Sequence, residues 1–200
     1  MTASFVADPD PLTSGSDPGQ MTEFDGDLYF TAKTEALGRE LYKTDGTEAG
    51  TVLVKDIIPG SSGSSPTNLT VVGGSLFFVA GSGIWKTDGT EAGTTQVKAV
   101  SNRNTVRHLT NLNGTLLFVE GNDPEIWRSD GTEAGTVKVT TNAGWVYSMV
   151  AVGGYAYFSD YSDSGIGEEL YRTDGTAAGT ELVKDIRPNG SSGPGNLTNV

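Results

Sequence analysis

Short apolar runs alternate with glycine-bearing turns along the chain, and no segment keeps a helical apolar period of useful length. Thr22-Glu23-Phe24 and Leu28-Tyr29-Phe30 flank Asp25-Gly26. Thr70-Val71-Val72 and Leu76-Phe77-Phe78 stand on either side of Gly73-Gly74. Asn113-Gly114 separates Thr110-Asn111-Leu112 from Leu116-Leu117-Phe118, and Gly153-Gly154 separates Val150-Ala151-Val152 from Ala156-Tyr157-Phe158. Such turn pairs tolerate the positive φ angles of a two-residue hairpin. A third run leads into a second turn, and a fourth run follows it, as in Val52-Leu53-Val54-Lys55-Asp56-Ile57 and Leu182-Val183-Lys184-Asp185-Ile186. The pattern predicts four short strands per period, here A, B, C and D.

The second turn exposes an internal repeat. Its copies are Tyr42-Lys43-Thr44-Asp45-Gly46-Thr47-Glu48-Ala49-Gly50-Thr51, then Trp85 to Thr94, Trp127 to Thr136 and Tyr171 to Thr180, each reading Asp-Gly-Thr at its centre. The aspartates Asp45, Asp88, Asp130 and Asp174 step by 43, 42 and 44 residues. Four strands in a period of ~40–50 residues is the size of one β-propeller blade. A parallel β-helix has shorter repeats and needs no two-residue hairpin. The expected fold is therefore all-β, a β-propeller of four-stranded antiparallel blades. Four full blades are joined by a partial blade drawn from the two chain ends. Residues 1–20 hold an N-terminal outer strand and loop, 21–68 blade 1, 69–108 blade 2, 109–148 blade 3, 149–195 blade 4, and 196–200 the start of a further blade. Phe30, Phe78, Phe118 and Phe158 form one aromatic column on strand B, and Tyr42, Trp85, Trp127 and Tyr171 another on strand C. Each such ring removes enough apolar surface from water to contribute ~1.5–3 kcal/mol.

The motif Glu40-Leu41-Tyr42-Lys43-Thr44-Asp45-Gly46-Thr47, echoed at Glu125-Ile126-Trp127-Arg128-Ser129-Asp130-Gly131-Thr132, resembles the bacterial ELWxxDGT repeat family across almost the whole chain. The resemblance implies a propeller-like fold in large secreted or surface-attached proteins with many tandem copies. It implies no enzymatic activity, no cofactor and no catalytic residues. Ser82-Gly83-Ile84 lacks the glutamate, and Ala177 replaces the second glutamate in the last copy.

At the ends, Phe5-Val6-Ala7-Asp8 matches a D strand and Asn196-Leu197-Thr198-Asn199-Val200 the start of an A strand. Ser191-Ser192-Gly193-Pro194-Gly195 stays close to the repeat, so the array is expected to continue in a longer chain. The alternative is that a second chain completes the edges, in a dimer or a fibre.

Composition narrows the function classes. The chain has 200 residues, 28 glycines, no cysteine, one histidine and a formal net charge of -12. Thiol catalysis, disulfides and the commoner zinc sites are removed. The acidity argues against nucleic acid and against anionic lipid, and no apolar run is long enough to span a bilayer. Met1-Thr2-Ala3-Ser4 carries no signal-peptide pattern. Composition still favours an extracellular or bacterial cell-surface setting.

Candidate chemistry is sparse. The four Asp-Gly-Thr aspartates read either as calcium ligands or as turn acceptors. A hard cation wants six to eight oxygens from several close carboxylates, and each loop offers one aspartate, so the turn reading is preferred and no metal is expected. Asp8, Asp10 and Asp17 form an acidic, proline-containing loop that reads as solvated. Arg103, Arg107 and His108 form a basic cluster on a loop that departs from the repeat, suited to an acidic ligand or glycan. Trp145 and Tyr147, outside the aromatic columns, lie in the next D–A loop, where a sugar ring would stack or where Trp145 fills a gap between blades. Asn68, Asn113, Asn189 and Asn196 begin Asn-x-Ser/Thr triplets. The leading expectation is a non-enzymatic extracellular structural or interaction module that associates with itself or with other repeat-bearing chains through unpaired edges. A carbohydrate-binding module using the loop aromatics is the alternative, and a polysaccharide-active enzyme ranks third.

Overall fold

A computed structural model describes residues 15–121, 125–140, 144–162 and 165–199. The strand expected at Phe5–Asp8, with Asp8 and Asp10, lies outside the described residues. The chain divides into two compact units, Met1–Arg103 and Asn104–Val200. The first unit holds β1 (Gly19–Phe24), β2 (Asp27–Thr34), β3 (Gly38–Thr44) and β4 (Val52–Lys55), then β5 (Thr67–Val72), β6 (Ser75–Ala80), β7 (Gly83–Thr87) and β8 (Thr95–Ala99). The second holds β9 (Arg107–Leu112), β10 (Thr115–Glu120), β11 (Glu125–Ser129) and β12 (Val137–Lys138), then β13 (Trp145–Val152), β14 (Tyr155–Ser162), β15 (Gly167–Thr173) and β16 (Glu181–Lys184). Each group of four is one antiparallel sheet in simple meander order. The described residues are thus all-β, in four four-stranded antiparallel sheets. Among the described residues no helix is long and apolar enough to cross a membrane.

The hairpin chemistry explains the meander. Asp25-Gly26, Asn113-Gly114 and Gly153-Gly154 have positive φ at both central residues, from 51° to 87°, the backbone twist that matches flanking strands. The two aromatic columns meet as cross-strand pairs: Phe30 with Tyr42, Phe78 with Trp85, Phe118 with Trp127 and Phe158 with Tyr171. Three of the four pairs stack, with centroids 5.9–6.2 Å apart. Residues 76–80 of β6 and 116–119 of β10 are buried without a break, because both faces of these second strands are covered. In the first unit Tyr29, Leu41 and Val54 pack with Leu76, Phe78 and Ala80. In the second unit Leu117, Val119 and Ile126 pack with Val146, Ala156 and Phe158. Apolar contact between successive sheets is therefore the main cohesive force within each unit.

The first strand of each sheet starts earlier than its apolar triplet suggests. A β-bulge lets it continue through polar residues. Gln20, Asn68 and His108 occupy the bulge in the left-handed region, at φ 50°, 57° and 56°. Arg107, His108, Trp145 and Tyr147 therefore stand on strands, where the sequence pattern places them in loops. Residues 196–199 carry no strand assignment. They run beside β13, with the Leu197 N–H 3.3 Å from Ser148 Oγ and Asn199 Nδ2 3.4 Å from the Ala151 carbonyl.

Candidate functional site

The Asp-Gly-Thr loops share one hydrogen-bond circuit. Asp45 Oδ1 accepts from the Thr47 N–H at 2.9 Å and from Thr47 Oγ1 at 2.7 Å. Thr47 Oγ1 in turn accepts from the Gly50 N–H, and Thr51 Oγ1 donates to the Thr47 carbonyl. The same bonds recur around Asp88, Asp130 and Asp174. These donors hold the Asp45, Asp88 and Asp174 carboxyls below the usual carboxylate range, the threonine hydroxyl contributing most. The final glycine is required by space: a Cβ at Gly93 would lie 2.1 Å from Asp88 Oδ1. One oxygen of each aspartate is thus committed to its own turn. Among the described residues no group of three or more His, Cys, Asp or Glu is placed to hold a metal ion.

Sequence reasoning missed a second repeat device. Glu40 is fully buried and accepts from the Ser64 N–H at 2.7 Å and from Ser64 Oγ, which anchors the Gly/Ser-rich segment to β3. Burial pushes its carboxyl above the ordinary range despite the Ser64 donors and the Ile57 and Ile58 N–H groups. Glu169 makes the matching anchor on β15, accepting from the Ser192 N–H, Ser192 Oγ and the Ile186 N–H, donors that outweigh burial and hold its carboxyl below the ordinary range. At the matching positions Glu125 instead pairs with Lys138 at 2.6 Å, and Gly83 has no side chain. The signal was the glutamate of the Glu-Leu-Tyr motif, absent from the second copy.

The residues singled out for ligand contact separate into two sets. Arg103 lies in the first unit, in a 3-10 turn (Arg103–Thr105), and its Nη1 donates to the Ser64 carbonyl at 2.8 Å. His108, half-buried on the β9 bulge, has Nε2 3.2 Å from the Val146 carbonyl. A carbonyl only accepts, so the Nε2–H tautomer donates. Burial pushes this imidazole below its ordinary pKa, which keeps it neutral at pH ~7. His108 therefore joins β9 to β13.

Trp145 and Arg107 do come together in the second unit, with Tyr147 two residues along β13. Val146 is buried in the core, so alternation turns Trp145 to the other side of β13; Trp145 and Tyr147, the latter in the bulge between Val146 and Met149, are 49% and 56% exposed. Trp145 pairs directly with Tyr161 of β14, itself 44% exposed, and Tyr161 pairs with Glu168 of β15. Opposed residues of an antiparallel pair share a face. The result is an aromatic row ending in a carboxylate. At the other end the Arg107 guanidinium lies 5.7 Å from the Trp145 ring centroid. Tyr161 was legible as a departure: Lys33, Gly81 and Gly121 occupy its place three residues after the phenylalanine column. Behind the row Asp160 faces inward, 5% exposed, with Oδ1 lacking a hydrogen-bond partner. Burial pushes its carboxyl up to about 6, only partly offset by the Gly144 N–H.

No protein-family model matches the chain, and no curated protein sequence matches it. Solved structures do. A puromycin hydrolase aligns over 87% of this chain and 29% of its own, with a TM-score of 0.57 at 15% identity. A puromycin-hydrolyzing peptidase of Mycobacterium tuberculosis aligns over 86% and 30%, with a TM-score of 0.54 at 13% identity. The GH43 α-L-arabinofuranosidase of Clostridium thermocellum aligns over 84% and 71%, with a TM-score of 0.40 at 15% identity. The chain thus spans less than a third of the length of the two puromycin-hydrolyzing proteins. Identities this low show a shared fold alone. The two puromycin-hydrolyzing neighbours are nonetheless enzymes. That finding overturns the expectation of a non-enzymatic structural or self-assembling module, which is withdrawn, and it assigns no activity to this chain.

Proposed function

We propose that the four sheets are blades of a propeller array built from ELWxxDGT-type repeats, and that the second unit recognises carbohydrate through the row of Trp145, Tyr147 and Tyr161. The observation that carries the reading is three large aromatic side chains, each more than two-fifths exposed, with Trp145 paired directly to Tyr161 and Tyr147 two residues along β13. Apolar surface gathered in this way marks interaction sites, and rigid aromatic rings contact a ligand at low entropic cost. A pyranose offers a flat C–H face to such a ring and hydroxyls to its neighbours, here the Tyr147 and Tyr161 hydroxyls and Glu168. Binding rather than bond cleavage is the role of this surface. Glycoside hydrolysis ordinarily uses two carboxyl groups flanking the scissile bond. The row has Glu168, while Asp160 is buried on the opposite face.

The test is a glycan array and polysaccharide pull-down with the wild-type chain and Trp145→Ala. Saccharide binding should weaken by at least about tenfold in the variant, as expected for loss of a central aromatic contact. Binding unchanged by Trp145→Ala, or no saccharide bound by the wild type, refutes the reading.

A further inference from the structure

Resting on that reading, we infer that the saccharide is anionic: a uronate-bearing oligosaccharide whose carboxylate is held by Arg107 while an adjacent ring stacks on Trp145. The place of Arg107 beside the indole defines the ligand class. The Arg107 guanidinium is fixed over the edge of the aromatic row, 5.7 Å from the Trp145 centroid. Its Nε is buried and has no hydrogen-bond acceptor. That atom is closed to solvent, but Arg107 as a whole is only half-buried, and a planar carboxylate is the acceptor that matches the open part of a guanidinium fork. A carboxylate set beside a sugar ring joins the two chemistries that this surface presents.

The rest of the row sets the direction of the chain of sugars. Glu168 stands at the far end, beyond Tyr161. It repels a second carboxylate there and accepts from sugar hydroxyls. His108, neutral and committed to the Val146 carbonyl, adds no charge. In a chain of formal net charge -12, nonspecific attraction of acidic polymers is not expected, so retention of one requires this local cation.

Isothermal titration with hexuronate oligosaccharides and with their carboxyl-reduced counterparts, which keep ring stereochemistry and lose the charge, tests the inference. The wild-type chain should bind at least one acidic form about tenfold or more tightly than its reduced counterpart. Added salt should narrow the gap. Arg107→Gln should lower affinity for the acidic form to that for the reduced one and leave the reduced form unaffected. Arg107→Lys should keep part of the preference, and circular dichroism of both variants verifies the fold. Equal affinity of wild type for acidic and reduced forms overturns the inference and leaves carbohydrate recognition standing, provided both still depend on Trp145. Persistence of the preference in folded Arg107→Gln also overturns it. Failure of every saccharide, acidic or neutral, to bind refutes both readings together.

Discussion

Replacing Asp160 by asparagine should make the protein's stability less sensitive to pH, with a sign and size that follow from the site. Asp160 is 5% exposed, its Oδ1 meets no donor, and burial holds its carboxyl at about 6 against an ordinary 3.8. A folded-state pKa above the unfolded one means that the folded protein holds this proton more tightly. The contribution of Asp160 is therefore most favourable below the unfolded pKa, where both states are protonated. It is lost as pH rises toward the folded pKa and is constant above it. Each pKa unit is worth ~1.4 kcal/mol, so the buried charge costs ~2–3 kcal/mol at pH ~7. Asp160→Asn keeps the shape and removes the titration. The stability of the variant minus that of the wild type should rise by ~2–3 kcal/mol between pH ~4 and pH ~7. The inserted amide adds a pH-independent offset of ~1 kcal/mol from its own imperfect pairing. Carboxylates common to both chains cancel in the difference. Urea unfolding followed by the fluorescence of Trp127 and Trp145, both in the second unit, supplies the measurement. A difference that stays flat, or falls, as pH rises over that window refutes the assignment of Asp160 as a carboxyl whose proton burial holds more tightly than the unfolded chain does.

Three further substitutions test the repeat devices. Glu40→Ala removes both acceptors of Ser64, itself 1% exposed, and should cost ~2–3 kcal/mol in equilibrium unfolding; a loss under ~0.5 kcal/mol would show that the anchor is dispensable. Thr94→Val conserves shape but deletes the hydroxyl that bonds Thr87 Oγ1 at 2.7 Å and the Thr90 carbonyl at 2.6 Å, so urea titration should register ~1–2 kcal/mol of destabilisation. At Gly63 a Cβ would meet the Arg39 backbone nitrogen at 2.3 Å with φ at +62°, and Gly63→Ala should lower stability by ~2–4 kcal/mol; a neutral result there would mean that the segment does not lie against β3 as described.

The aromatic columns were legible because hairpin turns and alternating patterns act over a few residues. Phe118 and Trp127 therefore met as their spacing implied. The four-strand order within each sheet followed for the same reason. The row of Trp145, Tyr147 and Tyr161 was legible only in part. Its residues depart visibly from the repeat, but a bulge carries β13 back through Trp145, and register alone sets Tyr161 opposite it. Arg103 and Arg107 look alike in sequence, four residues apart. The fold commits one to the Ser64 carbonyl and sets the other over an indole. The Glu40 anchor was hidden for a different reason: its partner lies 24 residues away, and two of the four copies do without it. Long-range hydrogen bonds leave no periodic trace in a sequence.

The most direct test of carbohydrate recognition is to follow the three tryptophan indole N–H signals by NMR during titration with an oligosaccharide that the glycan array returns as bound. The account predicts a saturable shift of the Trp145 indole signal, while Trp85, whose Nε1 donates to the Ala80 carbonyl at 3.1 Å, and Trp127, stacked on Phe118, stay in place. A shift confined to Trp85 or Trp127, with the Trp145 signal unmoved at saturation, would contradict it.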